Sequence, residues 1–233
     1  MTMKEKRTNS LYINGINFDG NLKLKNNENT RFMIWNIPAV VTCPYRTAMC
    51  EKFCYARKAE RCYPSCKDAR QRNFEVTKEA NFIERMIYTI ETELNSKKFA
   101  GKKVVFRIHE SGDFYSFGYA MKWTEIARHF ENDNRIVFLA YTKSLVHLIN
   151  CGLGEFTFPK NFVVRSSIWA DTCSESLKLT EAFNIPIYTA LSAHDMDIAE
   201  KNGMKFEKCR CEDCATCGKC WDNSIKTIIT YIH

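Results

Sequence analysis

No run of eighteen apolar residues occurs in the 233-residue chain, which excludes an ordinary membrane-spanning helix. Residues Met1 to Ser10 are polar and lack the apolar stretch of a secretory signal, so the expected compartment is the cytoplasm. Glycine and proline are scarce, at 9 and 5 residues, and no Gly/Ser linker, low-complexity tract or internal repeat divides the sequence. An apolar share of 45% is ample for a core, so one principal domain with a small appendage is expected.

Cysteine is abundant instead. Ten of the 12 cysteines fall in two clusters: Cys43, Cys50, Cys54, Cys62 and Cys66, then Cys209, Cys211, Cys214, Cys217 and Cys220. In a reducing compartment such clusters are metal ligands or redox groups before they are disulfides. The second cluster reads C-R-C-E-D-C-A-T-C-G-K-C, with nothing apolar larger than Ala215 between its sulfurs, so side-chain packing cannot hold it. Its regular two-residue gaps are those of a ferredoxin run, whereas zinc knuckles separate their paired cysteines more widely. A 4Fe-4S cluster is expected on Cys211, Cys214, Cys217 and Cys220, with Cys209 as a spare ligand and zinc as the alternative metal. Cys62 and Cys66 either complete this site or build another; isolated Cys151 and Cys173 read as small buried hydrophobes.

The formal charge of +7 suggests nucleic acid as a partner. Ligating thiolates would reduce that charge, and the basic residues are scattered. Nucleic acid is compatible with the composition but not implied by it.

Asn14-Gly15 between short apolar runs is a hairpin signal, so residues 1–30 are expected to form an N-terminal β appendage. Strands are then expected at Phe32–Val41, Val104–Ile108, Ile136–Ala140, Phe162–Arg165, Ile185–Leu191 and Lys226–Ile232. Between them fall a long helix from Lys67 to Asn95, helices over Ser116–Phe130, Ser174–Phe183 and Asp195–Asn202, and a short one at Leu145–Asn150. Such alternation means α/β architecture with parallel strands, in an open doubly wound sheet or a closed or partial barrel. The expected layout is residues 31–207 as the α/β body with a cysteine loop at 43–66, and 208–233 as a Cys-rich cluster-binding segment.

Cys43 follows the first strand directly, at the carboxyl end where α/β proteins place their sites. The order Cys43-x6-Cys50-x3-Cys54, with Phe53 before the third cysteine, resembles the radical S-adenosylmethionine superfamily. That superfamily uses C-x3-C-x2-C, so both gaps are expanded here. The resemblance implies a partial (β/α)6 barrel, a 4Fe-4S cluster on Cys43, Cys50 and Cys54, and auxiliary clusters after the barrel. Two clusters are expected in all, with cysteines enough for three. It also implies S-adenosylmethionine as cofactor and a one-electron donor such as flavodoxin or ferredoxin. Ser111-Gly112-Asp113 stands where those enzymes carry Gly-Gly-Glu for the cofactor's amino group. Phe53, Ser111, Gly112, Asp113, Ser166 and Ser167 are the cofactor-binding candidates; Tyr141, Thr142, Lys143 and Arg165 are further candidates at strand ends. The T-C-P and C-Y-A residues around the loop are also similar to the phage and mobile-element family called gene product 88, across most of residues 35–170.

The rival expectation is a non-catalytic protein stapled by zinc or iron–sulfur clusters and acting on phage or plasmid nucleic acid. His109 is expected to be a hydrogen-bonded structural residue, and Trp123 to face the core. Lys67, Arg70 and Arg72 are expected on a solvated helix face.

Overall fold

The runs V-V-F-R-I and I-V-F-L-A lack the alternation of a half-exposed strand, as befits strands covered on both faces. In a computed structural model, described at residues 16, 18, 24, 26–149, 158–209 and 213–231, they form neighbouring parallel strands. The elements are β1 (Thr30–Trp35), α1 (Ala48–Lys52), α2 (Tyr55–Cys62), α3 (Pro64–Thr77), α4 (Phe82–Leu94) and β2 (Lys103–Ile108). There follow α5 (Phe117–His129), β3 (Ile136–Thr142), α6 (Leu145–Ile149), β4 (Phe162–Ile168), α7 (Ser174–Ala182), β5 (Ile187–Leu191) and α8 (Ala193–Lys201). The chain ends with β6 (Glu207–Lys208), α9 (Cys214–Cys217), a 3-10 turn (Lys219–Trp221) and β7 (Thr227–Tyr231).

Among the described residues all strand pairs are parallel, in the order β1-β2-β3-β4-β5-β7-β6, and the sheet curls into a half-barrel. The expected partial barrel is therefore present. Its sixth member is β7, from the Cys-rich segment, and the unexpected two-residue β6 adds a seventh strand at the edge. The Asn14-Gly15 hairpin lies outside the described residues, as do Cys151 and Cys211. Of the N-terminal segment, Ile16 is buried and Phe18 meets Phe106 edge-on at 5.5 Å.

Successive side chains alternate between two cores. Met33, Trp35, Val104, Phe106, Phe138 and Val164 face an aromatic layer shared with the helices, where Trp123 is fully buried. Phe32, Ile34, Val105, Leu139 and Val163 face the hollow of the half-barrel, where Ala215 of α9 packs against them. Each fully buried Trp or Phe contributes about 1.5–3 kcal/mol of transfer free energy, so the outer layer supplies much of the stability.

Two element boundaries depart from expectation for visible reasons. The long helix is broken between α3 and α4. There Lys122 Nζ donates to the carbonyls of Thr77 at 2.8 Å and Glu79 at 3.3 Å, satisfying acceptors that a helix end exposes. The first strand stops at Trp35 rather than Val41. Pro38 removes a ladder donor, and Val40 adopts φ 68, a conformation rare for a β-branched residue. Among the described residues no helix is long and apolar enough to cross a membrane.

Candidate cofactor and ligand site

The carboxyl ends of β1 and β2 are tied together by Asn36. Its Oδ1 accepts from the amides of Glu110 at 2.7 Å and Ser111 at 2.9 Å. Beyond it the chain turns through Val40, and the Cys43 amide closes the turn on the Val40 carbonyl at 3.1 Å. The Thr47 side chain caps α1 by accepting from the Cys50 amide, and Cys54 stands at the N-terminus of α2. Both short helices were missed by the hydrophobic pattern because they bury almost nothing: Ala56 alone in α2 and no residue of α1. Asp171, after β4, accepts from the Met49 amide at 2.8 Å and fastens the loop across the mouth.

This arrangement brings Cys43, Cys50 and Cys54 to one cavity of about 220 Å³, along with Phe53, Ser111, Gly112, Asp113, Lys143 and Ser167. As the side chains stand, no group of three or more His, Cys, Asp or Glu among the described residues is set to hold a metal ion. Cys62 is exposed, and neither it nor Cys66 lines this cavity. Burial, and then the nearby Asp113, push the Cys43 thiol up to about 12; burial also raises Cys50. Near neutral pH, then, both sulfurs are thiols unless a cation replaces the proton.

Ser111-Gly112-Asp113 forms the wall facing the cysteine loop. Gly112 has φ +83, and a Cβ there would lie 2.3 Å from Ile37 Cγ1 and 2.7 Å from Thr42 Oγ1. No side chain fits, so glycine is a packing requirement. Ser111 Oγ donates to the Ile37 carbonyl at 2.9 Å. Asp113 is buried and already accepts from Thr142 Oγ1 at 2.5 Å, the Lys143 amide at 3.0 Å and the Phe114 amide at 2.7 Å. Burial raises its pKa, and the Thr142 hydrogen bond opposes that. Asp113 lines the cavity, yet it also latches the end of β2 to the end of β3.

The other expected residues divide. Lys143 Nζ donates to the Ser167 carbonyl at 2.6 Å and hydroxyl at 3.0 Å, so both border the cavity as a bonded pair. Phe53 stacks on Trp169 with ring centroids 6.0 Å apart and planes within 5°. Ser166 points away, 2.8 Å from Thr180 Oγ1 on α7. Arg165 is fully buried and donates to the carbonyls of Lys219, Cys220, Asp222 and Ile225, so it pins the C-terminal segment. His109 Nε2 is 2.9 Å from the Tyr119 hydroxyl, as a structural histidine would be. Two expectations fail. Arg70 is buried, not solvated, and pairs with Glu60 at 3.1 Å, because α3 packs over α2. Cys173 is exposed, because it caps α7 outside the core.

At the other end of the hollow, Cys209, Cys214, Cys217 and Cys220 border a cavity of about 600 Å³. Between the two cysteine groups lies a third cavity of about 370 Å³. It reaches Cys209, Cys214 and Cys220 on one side and shares Phe53, Arg107, Tyr141 and Trp169 with the mouth. Tyr141 and Cys220 line it together, and burial raises the Cys220 thiol. Arg107, Trp169, Tyr188 and Trp221 in this cavity escaped the sequence reading. The signal available for Arg107 was a lone charge inside an otherwise apolar strand.

A sequence profile of the family described as Gene product 88 matches residues 16–223. The chain belongs to that family. Among its relatives, the Gene 88 protein of Mycobacterium phage D29 is 32% identical over 105 residues, which cover 44% of this chain and 42% of that protein. The Gene 88 protein of Mycobacterium phage L5 is 30% identical over 105 residues, 44% of this chain and 43% of that protein. The match thus spans less than half the length of these curated Gene product 88 relatives. No solved structure gives a significant match.

Proposed function

We propose that this Gene product 88 chain is a metal–thiolate enzyme of the radical S-adenosylmethionine type, with an iron–sulfur site on Cys43, Cys50 and Cys54. A second cluster is assigned to the C-terminal cysteines. One observation carries the reading: three thiols border one cavity at the carboxyl end of the first strand of a parallel half-barrel. The donor chemistry suits iron, which takes thiolates, and Cys50 and Cys54 sit on short, little-buried helices that can adjust to it. When bound and reduced, such a cluster supplies the one electron that cleaves the sulfonium of S-adenosylmethionine.

The chain's own residues have defined tasks in this scheme. The three cysteines surrender their protons and hold the metal, so loading tightens as pH rises. Gly112 lets the loop and the end of β2 approach closely, and Asp113 fixes the β2 and β3 ends against one another. Phe53 and Trp169 form an aromatic wall that excludes water beside the sulfurs. The Tyr55 hydroxyl, donating to the Glu110 carbonyl at 2.8 Å, holds α2 against β2.

The test is anaerobic purification with iron and sulfide analysis, then reduction in the presence of S-adenosylmethionine. A brown protein that forms 5′-deoxyadenosine is expected. Replacing Cys43, Cys50 and Cys54 by Ala should abolish that product and remove about four iron atoms per chain. A colourless zinc protein, or an iron-loaded wild type that forms no 5′-deoxyadenosine, would overturn the reading.

A further inference from the structure

Nearly every buried charge in the described structure has a partner. Arg70 meets Glu60, Arg165 meets four carbonyls, Lys143 meets Ser167, and Asp113 meets three donors. Arg107 does not. It is 9% exposed, its Nη1 is shielded from solvent, and that nitrogen has no hydrogen-bond partner. Its guanidinium lies over the Tyr141 ring at 3.6 Å, a contact that uses the flat face and leaves the N–H edges free. A guanidinium cannot shed its proton, and an unpaired buried cation is costly to folding. Leucine or valine in this strand position would pack the hollow without that cost.

Arg107 borders both the mouth cavity and the central cavity of about 370 Å³. The central walls are mainly apolar and aromatic, with Phe32, Leu139, Tyr188, Trp169 and Trp221 among them; Glu110 is the other charged residue. A cavity of that size, apolar with a single convergent cation, fits a small molecule rather than a polymer. We infer that Arg107 anchors a carboxylate-bearing small molecule whose apolar or aromatic body lies in the central cavity. One guanidinium balances one negative charge and grips a carboxylate through two parallel N–H donors. A phosphate dianion would leave a second buried charge among aromatic walls. The bound molecule lies between the two cysteine groups and beside the mouth. The inference goes beyond the metal–thiolate reading and does not depend on it.

The test uses the full chain, with 2-naphthoate as probe and 2-naphthamide as its neutral isostere. Binding is followed by calorimetry and by quenching of tryptophan fluorescence, to which Trp169 and Trp221 contribute from the cavity wall. The wild type should bind the carboxylate at least about ten-fold more tightly than the amide, the range of a hydrogen bond to a charged group. Arg107→Met should erase that preference while raising the melting temperature or leaving it unchanged, since an unpaired charge has been removed. Arg107→Lys keeps the charge without the fork and should lie between, which preserves the test if the methionine variant does not fold. Equal binding of the two probes, no binding of the carboxylate, or tighter binding of 2-naphthyl phosphate would overturn the assignment. So would an Arg107→Met protein that loses metal but keeps the carboxylate preference, since Arg107 would then be balancing thiolate charge near Cys220.

Discussion

The two cysteine groups occupy opposite ends of one hollow and are held in different ways. At the mouth, Cys43, Cys50 and Cys54 sit on a turn and two short helices, fixed by strained backbone at Val40, by a glycine with no room for a side chain, and by polar ties from Asn36 and Asp171. At the base, the segment with Cys214, Cys217 and Cys220 packs as a plug. Ala215 is buried against the strands, Trp221 meets Phe32 edge-on at 5.8 Å, and Arg165 grips four carbonyls. Strain and polar ties gather where chemistry is expected, whereas burial and saturated backbone bonds mark a staple. The mouth carries the features expected of a site, and the base those expected of a scaffold that also carries sulfur.

The comparison breaks most visibly at Arg165. Replacing it with Met removes four charge-assisted hydrogen bonds and leaves four carbonyls without their donor inside the fold. A loss of about 3–5 kcal/mol is expected and, on the proposed metal–thiolate reading, loss of the metal assigned to the C-terminal cysteines. Denaturant unfolding and metal analysis check it. A variant of nearly wild-type stability would show that the plug does not depend on this clamp.

Gly112 probes the mouth. Alanine there must accept a left-handed φ and displace Ile37 or Thr42, for a penalty of about 2–4 kcal/mol. On the proposed reading, metal at Cys43, Cys50 and Cys54 should fall, while metal at the base stays. Element-specific analysis of Gly112→Ala, made also in a background lacking the C-terminal cysteines, separates the two. Equal losses at both ends would contradict the division drawn above.

His109 lies at the boundary between mouth and core, with φ 62 and its ring against Phe114 and Tyr119. Burial, then Arg107, push its pKa down from 6.5 to about 3. The neutral ring is the form that fits, so its contribution is intact above the ordinary value and is lost as pH falls from about 6.5 to 3. His109→Gln should therefore flatten the acid limb of the stability curve, read by denaturant midpoints across that window. An unchanged acid limb would place the labile group elsewhere.

Most of the scaffold was legible because its physics is local. Valine-rich strands, amphipathic helices over residues 82–94 and 117–129, and the carboxyl-end position of Cys43 follow from pattern and order. The breaks at Lys78 and Pro38 were not, since a lysine from α5 and a turn through Val40 decide them in three dimensions. The site divided similarly. Cys43, Cys50, Cys54 and Gly112 could be located from spacing, but Arg165 could not be told from a ligand-binding arginine until its carbonyl partners were visible. Arg107 was overlooked because its meaning is the absence of a hydrogen-bonded partner, which linear sequence does not record.

The smallest expected effect sharpens the boundary of the mouth. Cys62 ends α2 in solvent and Cys66 lies a turn into α3, and neither borders the cysteine-lined cavities at the mouth or the base. A double change to Ser removes two sulfurs the sequence alone would count as ligands, yet exposed and half-buried positions of this kind cost within about 1 kcal/mol. Iron and sulfide per chain should match the wild type, and thermal stability should be nearly unchanged. A fall of about four iron atoms per chain would mean that one of these thiols swings inward to a cluster, and the mouth would then be a four-sulfur site with no open corner.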